Sequence, residues 1–457
     1  MSTTDNFRNA DADPPANRAA AGWAAAWFFC VLAAYYAIRP VRETFGVSEG
    51  IARLPKLFTW TLAALLAASP LYGWAVARTP RRALPLAIYG FFIVNLLAFW
   101  YGFGQIDLQA QDAAASAWRS GFYVWVSVFN LFAVTLFWSA AVECFTGEQG
   151  KRVFGLLAGA GTLGGLCGSR LAVLVLNRTH EPRDVLLLSA AFLGGAIAAS
   201  WRFRRSFAAS PNLGAEDISA SRSAWSELQA AIQGMCDVGR SRYLALLALL
   251  MVLSSVAGTG IYMQMSYLVG EQIADSAARA AWYARINDYQ NVLTLFGQTI
   301  GASWAMRKCG LAATLAVTPA VYAAGFTAIA CRPSLLVHGV VDVAQRVASF
   351  AAGVPAREVL FTAVAPDEKY RAKAFIDTVG KRTGDAVAAH LFAALLAVGW
   401  KVTSIAWAMV PLAALIAAAS LLAAREYQTR RSSDQPAGAS PRFSETVGDA
   451  NSHRAGR

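Results

Sequence analysis

Asp377, Lys381, Arg382 and Asp385 stand at the head of a stretch, KAFIDTVGKRTGDAVAAHLFAALLAVGW (373–400), whose second half is apolar enough to cross a bilayer. Asp377, Lys381 and Asp385 recur every fourth position, which stacks them on one face of a helix, and Arg382 lies three before Asp385. Asp377 precedes Lys381, the favourable order for an i,i+4 pair. Two acids and two bases sum to zero, which lowers the cost of burying them without removing it. Such a set serves either as a neutral ladder pinning the helix to its neighbours or as a cavity wall whose charges exchange partners with a bound solute. A purely packing role needs no charge, which favours the wall.

The same residue types recur in other apolar runs. Asp342 and Arg346 are an i,i+4 pair inside VVDVAQRVASF, and Arg39, Arg42 and Glu43 cluster with Tyr35 and Tyr36 in YYAIRPVRETF. Arg170 lies deep in another run, and Arg285, Asp288, Gln290 and Asn291 open one that is apolar only beyond Val292. A charge at mid-bilayer costs roughly 2.5–3.5 kcal/mol on insertion scales, so these residues are expected to face a bundle interior or a wet cavity. Snorkelling to the interface accounts for Arg39 or Arg42 without a function. Bases (Arg39, Arg42, Arg170, Arg285, Arg346, Lys381, Arg382) outnumber acids (Glu43, Asp288, Asp342, Asp377, Asp385) by two, a margin that Glu143 would halve. The surplus suits an anionic solute, because guanidinium forks match phosphate and carboxylate. The expected binding set is Arg39, Arg42, Arg170, Arg346, Lys381 and Arg382. Glu43, Asp288, Asp342, Asp377 and Asp385 are expected to balance those charges or to carry a coupling proton.

The elements that must position these residues follow from composition. Of 457 residues 56% are hydrophobic and 15% charged, against roughly 25% charged in a soluble domain. Runs long enough to span the hydrocarbon core fall at about 20–38, 57–77, 83–103, 122–145, 153–176 and 185–200. A second six fall at 243–269, 285–306, 311–330, 335–356, 374–399 and 402–424. Continuous apolar runs exclude a β-barrel, whose strands alternate. The expected fold is all-α and polytopic, about twelve transmembrane helices in two six-helix bundles of the major facilitator type. The expected divisions are a tail (1–19), a first bundle (20–205), a linker (206–240), a second bundle (241–424) and a disordered tail (425–457). Within the linker, Trp225, Leu228, Ile232 and Met235 have helical spacing, although a plain tether explains them as well. Basic turns at Gly73–Arg78 and Gly301–Arg307 stand six spans apart, as in a duplicated bundle.

If both termini are cytoplasmic, the inside loops hold seventeen basic residues against eleven in the outside loops. That predicts a multi-pass protein of the inner membrane with both ends inside, and the formal charge of +12 suits an anionic leaflet. No continuous basic stripe predicts nucleic-acid binding. The six cysteines have no ligand spacing and are expected as buried free thiols. The four histidines are scattered, and His390 is read as a satisfied core residue. Gly159-Ala-Gly161-Thr-Leu-Gly164 matches G-x-G-x-x-G but follows no strand. Overlapping G-x-x-x-G pairs, Gly161/Gly165 and Gly164/Gly168, predict a close helix contact instead. No nucleophile constellation, cofactor motif or metal site is found, so the expectation is a monomeric non-enzyme whose partners are the bilayer and a small anion.

The motifs resemble those of the bacterial and plastid ATP/ADP translocases. Lys373-Ala-Phe-Ile376-Asp377-Thr-Val-Gly380-Lys381-Arg382-Thr-Gly384-Asp385 is similar to that family's K-x-x-I-D-x-x-G-x-R-x-G-K. Glu148-Gln-Gly-Lys151-Arg152-Val-Phe154 is similar to its E-x-x-K-R-x-F, and Ile38-Arg39-Pro-Val-Arg42-Glu43 to its L-R-x-x-K-[DE]. Tyr283 to Tyr289 offers a weaker fourth match. The resemblance implies a major-facilitator fold and exchange of nucleotides. Three departures separate fold from cargo: the family's lysine in the eleventh span falls on Asp385, its acid in the seventh near Gln264, and its acid in the fourth has only Glu143 as counterpart. The alternatives are a proton-coupled carrier in which Asp385 titrates, and a membrane sensor that moves nothing.

Overall fold

The computed structural model describes residues 15–145, 147–208, 233–297 and 302–433, which are helical almost throughout and contain no strand. The first six long helices are α1 (Pro15–Ser48), α2 (Leu54–Arg78), α3 (Leu84–Phe103), α4 (Ala113–Cys144), α5 (Gly147–Thr179) and α6 (Asp184–Ala208). After the linker come α7 (Arg242–Gln272), α8 (Ser276–Phe296) and α9 (Ala302–Cys331), the last broken at Gly310. The tenth span is composite: α10 (Leu335–Ala348), a π-turn (Ser349–Gly353) and α11 (Val354–Leu360). The eleventh is α12 (Pro366–Phe375), a second π-turn (Ile376–Gly380) and α13 (Lys381–Ala397), and α14 (Val402–Ser433) closes the array.

Ten of the described helices are long and apolar enough to cross a membrane. The two expected spans outside that set are the eighth and the eleventh, which begin with the polar residues picked out above. The helices overrun the apolar runs, so α1 extends ten residues past the expected 38 and buries Arg39 and Glu43. Of the linker, 209–232 lie outside the described residues, as do 1–14, Gly301 and the tail from 434.

One large core is drawn from α1 to α6 around Trp27, Phe129 and Phe137, and two others gather the helices from α7 onward. α1 lies at the centre of the first set. A Cβ at Gly164 would strike the carbonyl of Phe29, and one at Gly168 that of Ala33, so the G-x-x-x-G register of α5 brings two backbones together. Overpacking ordinarily costs about 1–3 kcal/mol, and here the obstacle is backbone. Gly164→Leu is therefore expected to abolish the monodisperse purified species, while Gly159→Leu, with open space around it, leaves it intact; size-exclusion chromatography checks both.

α1 ends at the membrane face where Gly50 turns the chain with φ +77, called here the exit face. A buried ion pair fixes that corner. Arg119 of α4 donates from Nε to Glu49 (2.7 Å) and from Nη1 to the carbonyls of Leu108 (2.7 Å) and Ala110 (2.8 Å). Ser116 donates to the other Glu49 oxygen at 2.5 Å. Both side chains of the pair are 1% exposed, so Arg119, which span boundaries place in an outside loop, lies within the protein.

The cysteines form no disulfide among the described residues and are less buried than expected: Cys30, Cys144 and Cys167 are half-buried, while Cys236, Cys309 and Cys331 are exposed. Cys309 adjoins the break at Gly310 and Cys331 ends α9, places where helix ends leave the packed interior.

Candidate solute-binding cavity

α1 ascends toward the exit face and α7, the first helix after the linker, runs the same way beside it. Their polar side chains meet on the exit-face side of the middle. Glu43 accepts from Arg42 Nη1 at 2.9 Å and lies 3.6 Å from Arg39 Nε. Across the junction, the Tyr262 hydroxyl of α7 donates to Glu43 at 2.5 Å. Arg42 also donates to the Tyr123 carbonyl (3.2 Å) and stands 3.9 Å over the Tyr123 ring. Two guanidiniums are thus held by one carboxylate, in the low-dielectric surroundings where charge-assisted hydrogen bonds are strongest.

These residues form one end of a 330 Å³ cavity between the two sets of helices. Its cationic lining is Arg39, Arg42, Arg346, Arg357, Lys381 and Arg382, facing only two carboxylates, Glu43 and Asp385. Phe58, Tyr123, Tyr262, Tyr322 and Phe350 supply aromatic faces. Polar contacts joining the two sets among the described residues lie toward the exit face: Tyr262 with Glu43 and Tyr123, Arg279 with Ser48 (3.4 Å), and Arg170 with Asp288. The cavity instead extends toward Met251, Val354 and Arg357, on the face where α1 begins.

Asp385 occupies the α13 wall, 9% exposed. Ser255 and Thr259 of α7 donate hydroxyls to it, the latter at 2.9 Å, and Arg382 stands 3.6 Å away as the i,i+3 spacing predicts. Gly384 makes this possible, since Ser255 and the Val252 carbonyl lie 3.1 Å from where its Cβ would be. On α10, Asp342 is bound by Gln290 (2.5 Å) and Gln345 (3.1 Å), with Arg346 at 3.9 Å. Asp342 thereby backs the cavity, orienting Arg346 without lining it. The Nε atoms of Arg346 and Arg357 are buried without a hydrogen-bond partner among the described residues, so neither guanidinium fork is saturated.

Three residues expected at the site lie elsewhere. Arg170 donates to both Asp288 oxygens at 3.1 Å on the outer side of the α5–α8 contact, and neither lines the cavity. Spacing along α5 gave Arg170 its depth but not its face. Asp377 does not pair with Lys381: the π-turn Ile376–Gly380 adds a residue to the turn and rotates α13 out of the expected i,i+4 register. Asp377 instead stands 3.8 Å from Arg357. Arg357 is the main cation that span boundaries miss, because they place it in a loop; the π-turn Ser349–Gly353 carries the tenth span on past it. Its apolar flanks, Val354-Pro-Ala and Val359-Leu, were the available signal. Tyr123, Tyr262 and Tyr322 gave none, as aromatic residues in apolar runs read as core. His390 is exposed, with Nδ1 2.9 Å from the Ala386 carbonyl. The side chain of Glu143 lies outside the described residues.

Arg170→Gln is accordingly expected to leave anion binding at the cavity within about twofold of the native chain, since exposed pairs contribute only about 0–1 kcal/mol; titration calorimetry with a nucleotide checks this.

Three solved structures share this arrangement over nearly the whole chain. The nucleoside transporter NupG matches with TM-score 0.57 and 11% identity, over 90% of this chain and 99% of its own. A transporter of the POT family, solved with a thioalcohol-conjugated peptide, matches with TM-score 0.57 and 11% identity over 90% and 96%. The fold is that of the major facilitator transporters. A bacterial homologue of the lysosomal transporter Spinster, inward-facing and unoccupied, matches with TM-score 0.51 and 13% identity over 91% and 94%. In sequence, no family model and no curated protein matches the chain.

Proposed function

We propose that this chain is a secondary transporter of the inner membrane, both termini cytoplasmic, that moves a small organic anion by alternating access. The observation that carries the reading is the lining of the cavity: six cations and two carboxylates around a space of 330 Å³, within the range of small-molecule sites. Asp342 and Asp377 stand behind the wall beside Arg346 and Arg357, which still leaves six cations against four carboxylates; surplus positive charge at membrane depth is costly, and an anionic cargo lowers that cost each time it binds. A phosphate compound fits best, because Arg346, Arg357 and Arg382 present forks suited to bidentate contact. The aromatic faces of Phe58, Tyr262 and Phe350 give a base or similar ring a surface beside them, which favours a nucleotide or related phosphate ester. The translocase-like motifs at Arg39–Glu43 and Lys373–Asp385 supply two of the cavity walls, in keeping with exchange as the mode. In this reading the site is monomeric, uses no cofactor, and is open to the cytoplasm.

Proton coupling is the second reading, favoured by Asp385, a buried carboxylate held by two hydroxyls beside Arg382. Uptake of labelled nucleotide into proteoliposomes separates the two. Exchange predicts uptake only with internal counter-substrate and independent of a pH gradient. Uptake into empty vesicles driven by an imposed pH gradient establishes coupling instead, and flux of no anion under either condition removes the transporter reading.

A further inference from the structure

Away from the cavity, α8 and α10 run side by side from the exit face and leave between them a groove of 990 Å³ that opens to the membrane surface of the protein. Its walls are apolar, with Leu293 and Val340 exposed along its edges. Its floor is set by close approaches: a Cβ at Gly339 would stand 3.0 Å from Ile286, and one at Gly297 would stand 2.7 Å from Ala351. From Trp282 to Gly297 the groove follows α8 for about 22 Å at 1.5 Å per residue, more than one ~15 Å leaflet of a ~30 Å hydrocarbon core.

One lining residue breaks the apolar pattern. Arg285 is exposed in the groove near its upper end, one turn below Trp282 and the first residue of α10, Leu335. It makes no ion pair among the described residues, and the carboxylate one turn along, Asp288, is taken by Arg170 of α5. A guanidinium at that depth needs an anion. A second copy related by a twofold axis would bring the same face, with another Arg285 and no carboxylate in the groove. A phospholipid brings a phosphate at the right level and chains to fill the remainder.

We propose that this groove is a binding site for an anionic phospholipid of the exit-face leaflet, its phosphate on Arg285 and an acyl chain along α8 and α10. The site is independent of the transport reading, and its test needs no cargo.

Native mass spectrometry of the full-length protein, presented with phosphatidylglycerol and phosphatidylcholine of matched chains, reads occupancy directly. Wild type is expected to retain phosphatidylglycerol about fivefold over phosphatidylcholine, the effect of one interfacial cation. Arg285→Gln is expected to equalise the two, and Val340→Trp, which fills the groove from an exposed position, to lower both. Equal retention by wild type overturns the proposal, as does a preference that survives Arg285→Gln. A dimer peak abolished by Val340→Trp overturns it as well, by assigning the groove to a second copy.

Discussion

Glu43→Gln is expected to bind the transported anion about tenfold more tightly than the native chain while moving it more slowly. Glu43 is the anion that Arg39 and Arg42 hold, at 3.6 and 2.9 Å. An incoming phosphate or carboxylate competes with it for the same guanidinium forks. Hydrogen bonds to charged groups contribute about 1.5–3 kcal/mol, so freeing one fork at a partly hydrated site is worth about a factor of ten. The carboxylate also accepts from Tyr262 of the opposite helix set, and that contact helps to close the exit face. Glutamine retains an acceptor there but lacks the charge that must recapture the arginines when the solute leaves. Release, and return of the empty carrier, are therefore the steps expected to slow. Calorimetric affinity and initial proteoliposome flux, measured on one preparation, separate the two effects; a weaker-binding variant would show that Glu43 supports the solute rather than standing in for it.

The largest expected loss of stability comes from Arg119→Leu. Glu49 would be left as a buried carboxylate with Ser116 and a more distant, exposed Arg53 as its remaining partners, and the carbonyls of Leu108 and Ala110 would lose their donor. Breaking a buried pair from one side costs about 3–5 kcal/mol, which for a chain of 457 residues corresponds to a fall in denaturation temperature of about 3–5 °C. Arg119→Leu combined with Glu49→Gln is expected to recover part of that loss, because the stranded charge is gone. Thermal unfolding of the native chain and the two variants in one detergent checks the order. Solute affinity should be unchanged in any of them that folds, since neither residue lines the cavity.

The helical, membrane-spanning class was legible because hydrocarbon imposes it: a backbone without water must satisfy itself, and apolar runs of sufficient length mark where. Charges inside those runs were legible for the same reason, and Arg39, Arg42, Glu43, Arg346, Lys381, Arg382 and Asp385 do share one cavity. What periodicity could not supply was facing. Arg170 and Asp288 have the depth of site residues, yet they join α5 to α8 on the outside of the bundle. The two π-turns defeat counting altogether. One shifts the register between Asp377 and Lys381, and the other extends the tenth span so that Arg357 reaches the cavity. The contacts around Glu43 were equally invisible, because Tyr262 meets Glu43 across 219 residues of sequence and Arg42 meets Tyr123 across 81.

The central claim is that the cavity is selective for negative charge, and ligand-induced thermal stabilisation measures it most directly. The purified protein should be titrated with a nucleoside and with its mono-, di- and triphosphate esters, which keep the ring constant while the charge rises. The account predicts no stabilisation by the nucleoside and a clear rise with at least one phosphate ester, lost when Arg346 and Arg382 are both replaced by glutamine. Stabilisation by the neutral nucleoside equal to that by its phosphates, or a response untouched by removing those two cations, would contradict it.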